Sequence, residues 1–289
     1  MNIELAVDIK ASLGEGPCWD ENTNRLYWVD ILEKKVHYYQ PQTNETSTIN
    51  VGQYVGACVP TKSGDLLLAL ENGFYILNLE SEKLTIIEEP ESHMYENRFN
   101  DGKCDPAGRF WAGTMHKDAS KVTGSLYVMQ TDRTVKKVLS DVGISNGLAW
   151  TADAKTMYFI DTHTREVAAF DYDVSSGEIN NRIPVVTIPE EEGFPDGMTI
   201  DSEGMLWIAH FNGGKVTRWN PDTGELLTTI KLPVSKVTSC TFGGEHLNEL
   251  YITTASVGLN EQEKRDQPLA GGVFRVKTEV KGTKTVLFG

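Results

Sequence analysis

The sequence contains 289 residues, of which 39% are hydrophobic and 26 are glycine, and its formal net charge is −14 at pH 7. Nucleic acids and anionic membranes are bound through basic surfaces, so this charge argues against both as partners. No segment approaches the roughly 20 consecutive apolar residues that a membrane-spanning helix needs, and we therefore expect no membrane association.

The first ten residues predict a β-strand rather than a targeting segment. They lack the basic start and the long apolar stretch of a secretory signal, while residues 3–9 have the pattern of a strand. We therefore expect a cytoplasmic protein. In that compartment Cys18, Cys58, Cys104 and Cys240 are expected to be reduced and buried, since the sequence has no CxxC pair.

A strand–turn–strand pattern recurs along the chain. Polar residues at positions 15, 100, 146 and 196 each precede a turn position by five residues and an aromatic residue by eleven or twelve. Fainter copies of the pattern start near Val55 and Val237. The six starting positions are 40 to 50 residues apart, which is the length of a four-stranded propeller blade. The spacing predicts an all-β fold, a six-bladed β-propeller with four antiparallel strands per blade, formed by residues 1–289 as a single domain.

The N-terminal strand is predicted to close the ring by joining the last blade. Its partners there would be residues 250–254, 272–276 and 286–288. Closure of this kind removes exposed sheet edges. Signals for helices are nearly absent, and residues 258–271 form the longest predicted loop.

The polar residues that open four of the blades are predicted to share one pocket. In a propeller the innermost strands start beside the central channel, so Glu15, Asn100, Asn146 and Asp196 would converge there although they are distant in sequence. Two carboxylates and two amides offer hard oxygen ligands, which suit Ca²⁺, Mg²⁺ or Mn²⁺. Each Asn-Gly or Asp-Gly pair is also an ordinary turn former. Four polar residues at the same position of the repeat favour a metal site.

A second chemical motif is present at Gly143–Gly147, which fits the G-x-S-x-G pattern of serine hydrolases. That motif requires a strand before the serine and a helix after it. The residues after Ser145 predict two strands and no helix, so we interpret Ser145 as a loop residue beside Asn146.

Five segments resemble motifs of the SMP-30/gluconolactonase/luciferin-regenerating-enzyme family, also called regucalcin-like. They are Leu13–Pro17, Arg98–Lys103, Asp105–Arg109, Ser145–Trp150 and Phe194–Met198. The resemblance implies a six-bladed propeller and sugar-lactone hydrolysis as the most common activity.

The resemblance also implies roles for individual residues. One divalent metal ion, Ca, Zn, Mg or Mn, would be held by Glu15, Asn146 and Asp196, with Asn100 at or near the ion. Arg98 and Asn100 would bind the substrate. One departure from the family pattern is the short segment 116–123 after Gly-Thr-Met, where other members often carry a longer loop with an acidic residue that reaches the substrate; here Asp118 is the candidate substitute.

The predicted mechanism is attack of water on the lactone carbonyl, with Asp196 as general base. Asp101 is the reserve candidate for the base and a predicted substrate-binding residue. The predicted partner is a small-molecule sugar lactone, and the protein is expected to be a monomer or a weak homo-oligomer. Two alternatives remain: a non-catalytic calcium- or ligand-binding propeller, and a metal-dependent hydrolase of a different ester or a phosphotriester.

Overall fold

A computed structural model describes residues 2–289 as six four-stranded antiparallel sheets arranged as the blades of a propeller. The predicted six-bladed β-propeller is therefore confirmed. The first three blades contain β2 (Gly14–Asp20), β3 (Arg25–Asp30), β4 (Lys35–Gln40) and β5 (Glu45–Asn50); β6 (Val55–Pro60), β7 (Leu66–Leu70), β8 (Phe74–Leu77) and β9 (Leu84–Glu88); and β10 (Asn97–Cys104), β11 (Phe110–His116), β12 (Gly124–Met129) and β13 (Val135–Val142).

The last three blades complete the ring. They contain β14 (Ser145–Trp150), β15 (Thr156–Asp161), β16 (Glu166–Asp173) and β17 (Glu178–Thr187); β18 (Phe194–Ile200), β19 (Leu206–Phe211), β20 (Lys215–Asn220) and β21 (Glu225–Lys231); and β22 (Val237–Gly243), β23 (Glu249–Thr254) and β24 (Val273–Lys277) with β1 (Ile3–Val7). Two short 3₁₀ turns span Thr162–Thr164 and Glu190–Glu192. None of the helices in residues 2–289 has the length and apolar character needed to cross a bilayer.

The N-terminal strand closes the ring as predicted. Strand β1 pairs antiparallel with β24, and Ile3 lies opposite Val276. Blade six then packs against blade one through aromatic side chains, since Trp19 stacks on Tyr251 with ring centroids 5.7 Å apart. Stacked aromatic pairs of this kind add to the free energy gained by burial. The two ends of the array are therefore joined by both hydrogen bonds and apolar contacts.

The aromatic residue of the repeat has a specific partner in two blades. The Trp111 indole Nε1 donates to Asp105 Oδ2 at 2.8 Å, and the Trp207 Nε1 donates to Asp201 Oδ2 at 2.9 Å. Each aspartate is the turn residue five positions after the first residue of the repeat in its blade, here called the opener. The indole and the carboxylate are both buried and satisfy each other, which stabilises the turn between the two inner strands.

Residues 258–271 are not entirely loop, which corrects the sequence-based prediction. They contain a short α-helix of six residues, α1 (Glu261–Asp266). Its start is fixed by a capping box, in which the Asn260 side chain accepts from the Glu263 backbone N–H and the Glu263 carboxylate accepts from the Asn260 N–H. Local hydrogen bonding of this kind forms a short helix without an apolar face.

The prediction that residues 286–288 belong to the last blade is wrong. This segment crosses the far end of the central channel and lies against blade two, where Phe288 N donates to Pro60 O at 3.0 Å and Lys62 N donates to Phe288 O at 3.0 Å. Phe288 is buried in the apolar cluster between blades two and three. Three strands of blade six come from residues 237–277 and the fourth from β1, so no edge is left for the tail to occupy.

The tail also forms part of the wall of a cavity of about 290 Å³ in the central channel. Its segment Thr283–Val286 lines this cavity together with Cys18 and Cys104, and Thr285 N donates to Glu21 Oε1 at 2.8 Å. All four cysteines are free thiols, as predicted, and burial raises the pKa of Cys18 to about 12. Three of them are fully buried and Cys18 is half-buried.

We expect deletion of residues 281–289 to expose the thiols of the channel. Removing the tail takes away one wall of the cavity and exposes the apolar surface that Phe288 covers, so native-state labelling of Cys18 by a maleimide should become faster. Truncating the Phe288 side chain alone, in Phe288→Ala, should lower the free energy of unfolding by about 3–5 kcal/mol.

Mass spectrometry of the labelled peptides measures which thiol reacts, and Cys18→Ser in the truncated chain is the control. Equal labelling rates in the full-length and the truncated folded proteins would show that the tail does not shield Cys18.

Candidate functional site

The innermost strand of every blade is irregular at the same height, and this irregularity forms the site. In blades one, three, four and five the register of the inner strand pair shifts at Glu15/Cys18, Phe99/Gly102, Ser145/Leu148 and Pro195/Met198. A β-bulge of this kind turns side chains out of the regular alternation. The bulges carry the predicted residues Glu15, Asn100, Asn146 and Asp196, and the structure brings all four together at one end of the central channel.

The other two blades differ from the sequence prediction by one residue. Their shifts lie at Val55/Ala57 and Val237/Ser239, so the residues equivalent to the four openers are Gly56 and Thr238 rather than Val55 and Val237. A Cβ atom at Gly56 would lie 2.7 Å from the Phe99 carbonyl carbon and 2.8 Å from the Asn100 nitrogen. Thr238 Oγ1 donates to Gly14 O at 2.6 Å. Neither position adds a charged group to the pocket.

Two carboxyl groups face each other in the pocket. Glu15 is 4% exposed and Asp196 is 7% exposed, and their side chains lie within hydrogen-bonding reach of each other. Burial raises the pKa of Glu15 to about 8, with a further contribution from the Asp101 charge. Burial and the neighbouring Glu15 charge raise the pKa of Asp196 well above its usual range. In the protein alone, the two groups therefore disfavour simultaneous ionisation.

The amides are held by a chain of hydrogen bonds. Asn146 Nδ2 donates to Thr162 Oγ1 at 2.8 Å, and its Oδ1 accepts from Asn100 Nδ2 at 3.3 Å. Asn100 Nδ2 also donates to Ser145 O at 2.7 Å, and Asn100 Oδ1 accepts from Arg98 Nη1 at 2.7 Å. One lone pair of the Asn100 oxygen is therefore already used by the guanidinium.

Arg98 brings a positive charge into the pocket. Its side chain is buried, and Nη1 donates to Phe99 O as well as to Asn100. Burial lowers the pKa of Arg98 to about 10, although the charges of Glu15 and Asp196 oppose this effect. Arg98 consequently remains a cation at neutral pH.

The donor set fits a hard divalent cation. Three oxygen donors converge from three blades: Glu15, Asp196 and the oxygen of Asn146. The pKa values of both carboxyl groups are raised, so the positive charge near them is too small to keep both ionised. Within residues 2–289 there is no group of three or more His, Cys, Asp or Glu side chains that could hold a metal ion. A metal site in this pocket therefore depends on amide oxygen as its third ligand, which is acceptable to Ca²⁺, Mg²⁺ and Mn²⁺.

Asp101 has a different setting from its neighbour Asn100. Its Oδ1 accepts from the Gly102 N–H at 2.7 Å, and the residue lines the central cavity beside Lys103. Burial raises the pKa of Asp101, and the Lys103 charge opposes that effect. Lys103 Nζ donates to Met198 O at 2.7 Å. Asp101 therefore faces the interior of the channel, and its predicted contact with substrate stays a prediction.

The segment 116–123 is organised around its own hydrogen bonds. The Asp118 carboxylate accepts from the Ser120 N–H at 2.9 Å and pairs with His116 Nδ1 at 2.5 Å. Hydrogen bonds from Ser120 are the main cause that lowers the pKa of Asp118 to about 2. The Asp118 side chain is 69% exposed, so it stabilises the turn and does not reach Arg98 or Asn100 in this arrangement.

Ser145 does not have the setting of a nucleophile. It lies in β14, and the next element is strand β15, not a helix. Its hydroxyl is buried without a hydrogen-bond partner, so no base is placed to activate it. The interpretation of Ser145 as a loop residue is wrong, because Ser145 is the first residue of β14 and pairs with Asp161 of β15.

The comparisons with known proteins identify the family. Residues 13–256 match the model of the SMP-30/Gluconolactonase/LRE-like region. The chain belongs to this family. The match includes all four openers and Arg98, so it covers the whole pocket.

Three relatives are similar over nearly the full chain. A Bacillus subtilis (strain 168) protein, YvrE, whose name assigns it provisionally to the sugar lactone lactonases, is 40% identical over 100% of this chain and 99% of its own length. A luciferin-regenerating enzyme structure is 39% identical with a TM-score of 0.94, and 99% of each chain is covered. A structure described as a calcium-binding protein, regucalcin, from Agrobacterium tumefaciens strain C58 is 27% identical with a TM-score of 0.95, covering 99% and 96% of the two chains.

The sequence did not indicate two residues that organise the pocket. Thr162 follows directly after Asp161 at the end of a second strand, and Gly56 lies in an apolar run. Counting back five residues from Thr61, which is the turn residue of blade two, identifies Gly56 as the opener. Thr162 has no comparable signal because its contacts join two different blades.

We expect Gly56→Ala to destabilise the protein by about 1–3 kcal/mol, because the added Cβ would overlap the backbone of blade three. Urea unfolding measures this change. Gly52→Ala is the matched control, since a Cβ there meets nothing within 4 Å and introduces only the strain of a positive φ. A Gly56→Ala variant that is more stable than Gly52→Ala would contradict the close approach of the two blades.

Proposed function

We propose that the protein is a divalent-metal-dependent hydrolase of sugar lactones, which converts a lactone and water into an aldonic acid. The observation that carries the proposal is the buried Arg98 guanidinium, which lies beside an oxygen-ligand pocket and is fixed to Asn100 at 2.7 Å. An ion site that only stabilises the fold has no need of a buried cation next to it. The name of the B. subtilis relative supports a lactone as substrate.

The proposed ion ligands are Glu15, Asn146 and Asp196, with Asn100 beside them. The calcium-binding description of the A. tumefaciens relative supports a divalent cation, and the all-oxygen donor set favours Ca²⁺, Mg²⁺ or Mn²⁺ over softer metals, with Zn²⁺ as a further candidate. When bound, such an ion would polarise the lactone carbonyl and stabilise negative charge that develops on its oxygen.

The side chains of the pocket supply the remaining chemistry. Asp196 accepts a proton from the attacking water as the water oxygen bonds to the carbonyl carbon. The bond between the carbonyl carbon and the ring oxygen then breaks, and the ring oxygen receives that proton to become a hydroxyl group. Arg98 would donate to the sugar hydroxyls from the guanidinium N–H groups that Phe99 O and Asn100 Oδ1 do not use, and the second lone pair of Asn100 Oδ1 would accept from a hydroxyl. This fixed arrangement lowers the entropic cost of reaching the reactive geometry.

A second candidate function is binding without catalysis. The name of the A. tumefaciens relative describes calcium binding and no reaction, and a propeller can serve as a scaffold. The two functions differ in what Arg98 does. A binding-only protein would tolerate its replacement by lysine with no loss beyond a small change in stability.

We expect the purified protein to release acid from five- or six-membered sugar lactones. EDTA should abolish the reaction, and Mg²⁺, Mn²⁺, Zn²⁺ or Ca²⁺ added to saturation should restore it. Asp196→Asn should lower turnover by at least about 100-fold, because it removes both a ligand charge and the general base. Titration of released acid with gluconolactone, galactonolactone and xylonolactone measures these effects.

Asp118→Asn is the matched control, because its carboxylate is held within its own loop and should not be needed for turnover. If the metal-saturated protein and Asp196→Asn release acid at the same background rate, the lactonase proposal fails. Turnover of another ester or of a phosphotriester under the same conditions would instead correct the substrate class.

We expect Arg98→Lys to raise KM or lower kcat for the lactone by about 10-fold or more, with a smaller effect on ion affinity. Arg98 Nη1 alone donates to both Phe99 O and Asn100 Oδ1, so a lysine nitrogen can replace these bonds and keep the charge. Lysine lacks the additional Nη2 and Nε donors that the planar guanidinium would offer to the substrate. Steady-state kinetics and calorimetric ion titration separate the two effects. Equal losses in both would show that Arg98 acts by supporting the ion ligands.

A further inference from the structure

Thr162 connects two of the proposed ion ligands although it would touch neither the ion nor the substrate. It is the first residue of the 3₁₀ turn after β15, and it is buried. Its Oγ1 accepts from Asn146 Nδ2 at 2.8 Å and donates to Pro195 O at 2.8 Å. Pro195 directly precedes Asp196 in the bulge of blade five. One hydroxyl group thus joins the bulges of blades four and five.

The direction of these hydrogen bonds fixes the orientation of the Asn146 amide. A carbonyl oxygen can only accept, so the single hydrogen of the Thr162 hydroxyl must be directed to Pro195 O. The hydroxyl oxygen can then only accept from Asn146, and the amide must present its nitrogen to it. The Asn146 oxygen is consequently directed away from Thr162, on the side where Asn100 lies.

The turn that carries Thr162 is itself held rigidly. Thr162 N donates to Ile144 O at 3.0 Å, and the Asp161 carboxylate accepts from the Gly143 and Ile144 N–H groups at 2.9 and 3.0 Å. The hydroxyl therefore has a fixed position relative to the strand that carries Asn146. Groups that orient metal ligands through hydrogen bonds commonly change affinity by 10-fold to 100-fold when they are removed.

We propose that Thr162 is a positioning residue of the ion site, whose hydroxyl directs the Asn146 oxygen toward the ion and fixes the bulge that carries Asp196. This inference rests on the proposed function for the ligand set, but not on the identity of the substrate. It is tested by ion affinity, which can be measured whether or not the protein hydrolyses a lactone.

The decisive variants are Thr162→Val and Thr162→Ser. Valine has nearly the same shape but neither donates nor accepts, so Ca²⁺ and Mn²⁺ affinity measured by calorimetry should fall by about 10-fold to 100-fold. Serine keeps the hydroxyl and should restore affinity close to that of the parent protein. Any lactonase activity should show the loss mainly in kcat at saturating lactone, with KM less affected.

Thr217→Val is the matched control, because Thr217 is also a buried threonine with two hydrogen-bond partners, His210 Nε2 and Trp219 Nε1, but its side chain contacts none of the proposed ligands. It should lose stability without losing ion affinity. A double-mutant cycle with Asn146→Ala gives a second test, since Thr162→Val should have a much smaller effect when the amide is absent.

The outcomes separate the two proposals. Parent-like ion affinity in folded Thr162→Val, or an equal loss in Thr217→Val, would overturn the role of Thr162 and leave the ion site intact. A parent protein that binds no divalent ion would overturn the ion site and the role of Thr162 together. Ion binding with the expected loss in Thr162→Val, but without lactone hydrolysis, would support Thr162 and reject only the reaction.

Discussion

The close approach of six strands at one axis is the constraint on which the rest of this structure depends. The backbones of neighbouring blades come so near that side chains are excluded at particular points. A Cβ at Gly56 would meet the backbone of Phe99 and Asn100, and one at Gly147 would lie 2.5 Å from Met198 Cβ. The same crowding interrupts the ladders with bulges, and these turn polar side chains from separate blades toward each other. The pocket is therefore a consequence of how the ring closes.

Crowding also sets the electrostatics of the axis. Three acidic side chains, Glu15, Asp101 and Asp196, are buried within it, and Arg98 and Lys103 are the basic side chains that share their surroundings. Burying charges is costly unless each has a partner. Lys103 partly compensates Asp101, but the Asp101 charge also acts on Glu15 and Asp196, which share the influence of Arg98. The negative charge of Glu15 and Asp196 is therefore not fully balanced by basic side chains, and these residues carry the oxygen atoms that suit a cation.

Much of this arrangement could be predicted from the sequence, because the repeat has chemical markers. The Asp–Trp pairs at 105/111 and 201/207 mark the turn between two inner strands, and they fixed the positions of Asn100 and Asp196 in the predicted pocket. The marker is weaker in blade two, where Thr61 replaces the aspartate, and the predicted opener there was one residue too early. A slip of one residue matters because alternate side chains of a strand face opposite sides.

Other features depend on contacts that no local pattern contains. Residues 286–288 have the apolar composition of a strand. Strand β1 already occupies the free edge of blade six, so this segment packs against blade two instead. The helix at Glu261–Asp266 forms through capping rather than through apolar periodicity. The adjacent residues Asn100 and Asp101 differ in their contacts, because the bulge directs Asn100 to Asn146 and places Asp101 at the wall of the central cavity.

The tail across the far end of the channel has a consequence for exchange with solvent. Thr283–Val286 form part of the wall of the cavity at that end, and Phe288 anchors the segment between two blades. The tail therefore narrows the channel on the side away from Glu15 and Asp196. A small molecule that reaches these two residues meets less obstruction from the other end, so entry and departure would favour the same opening.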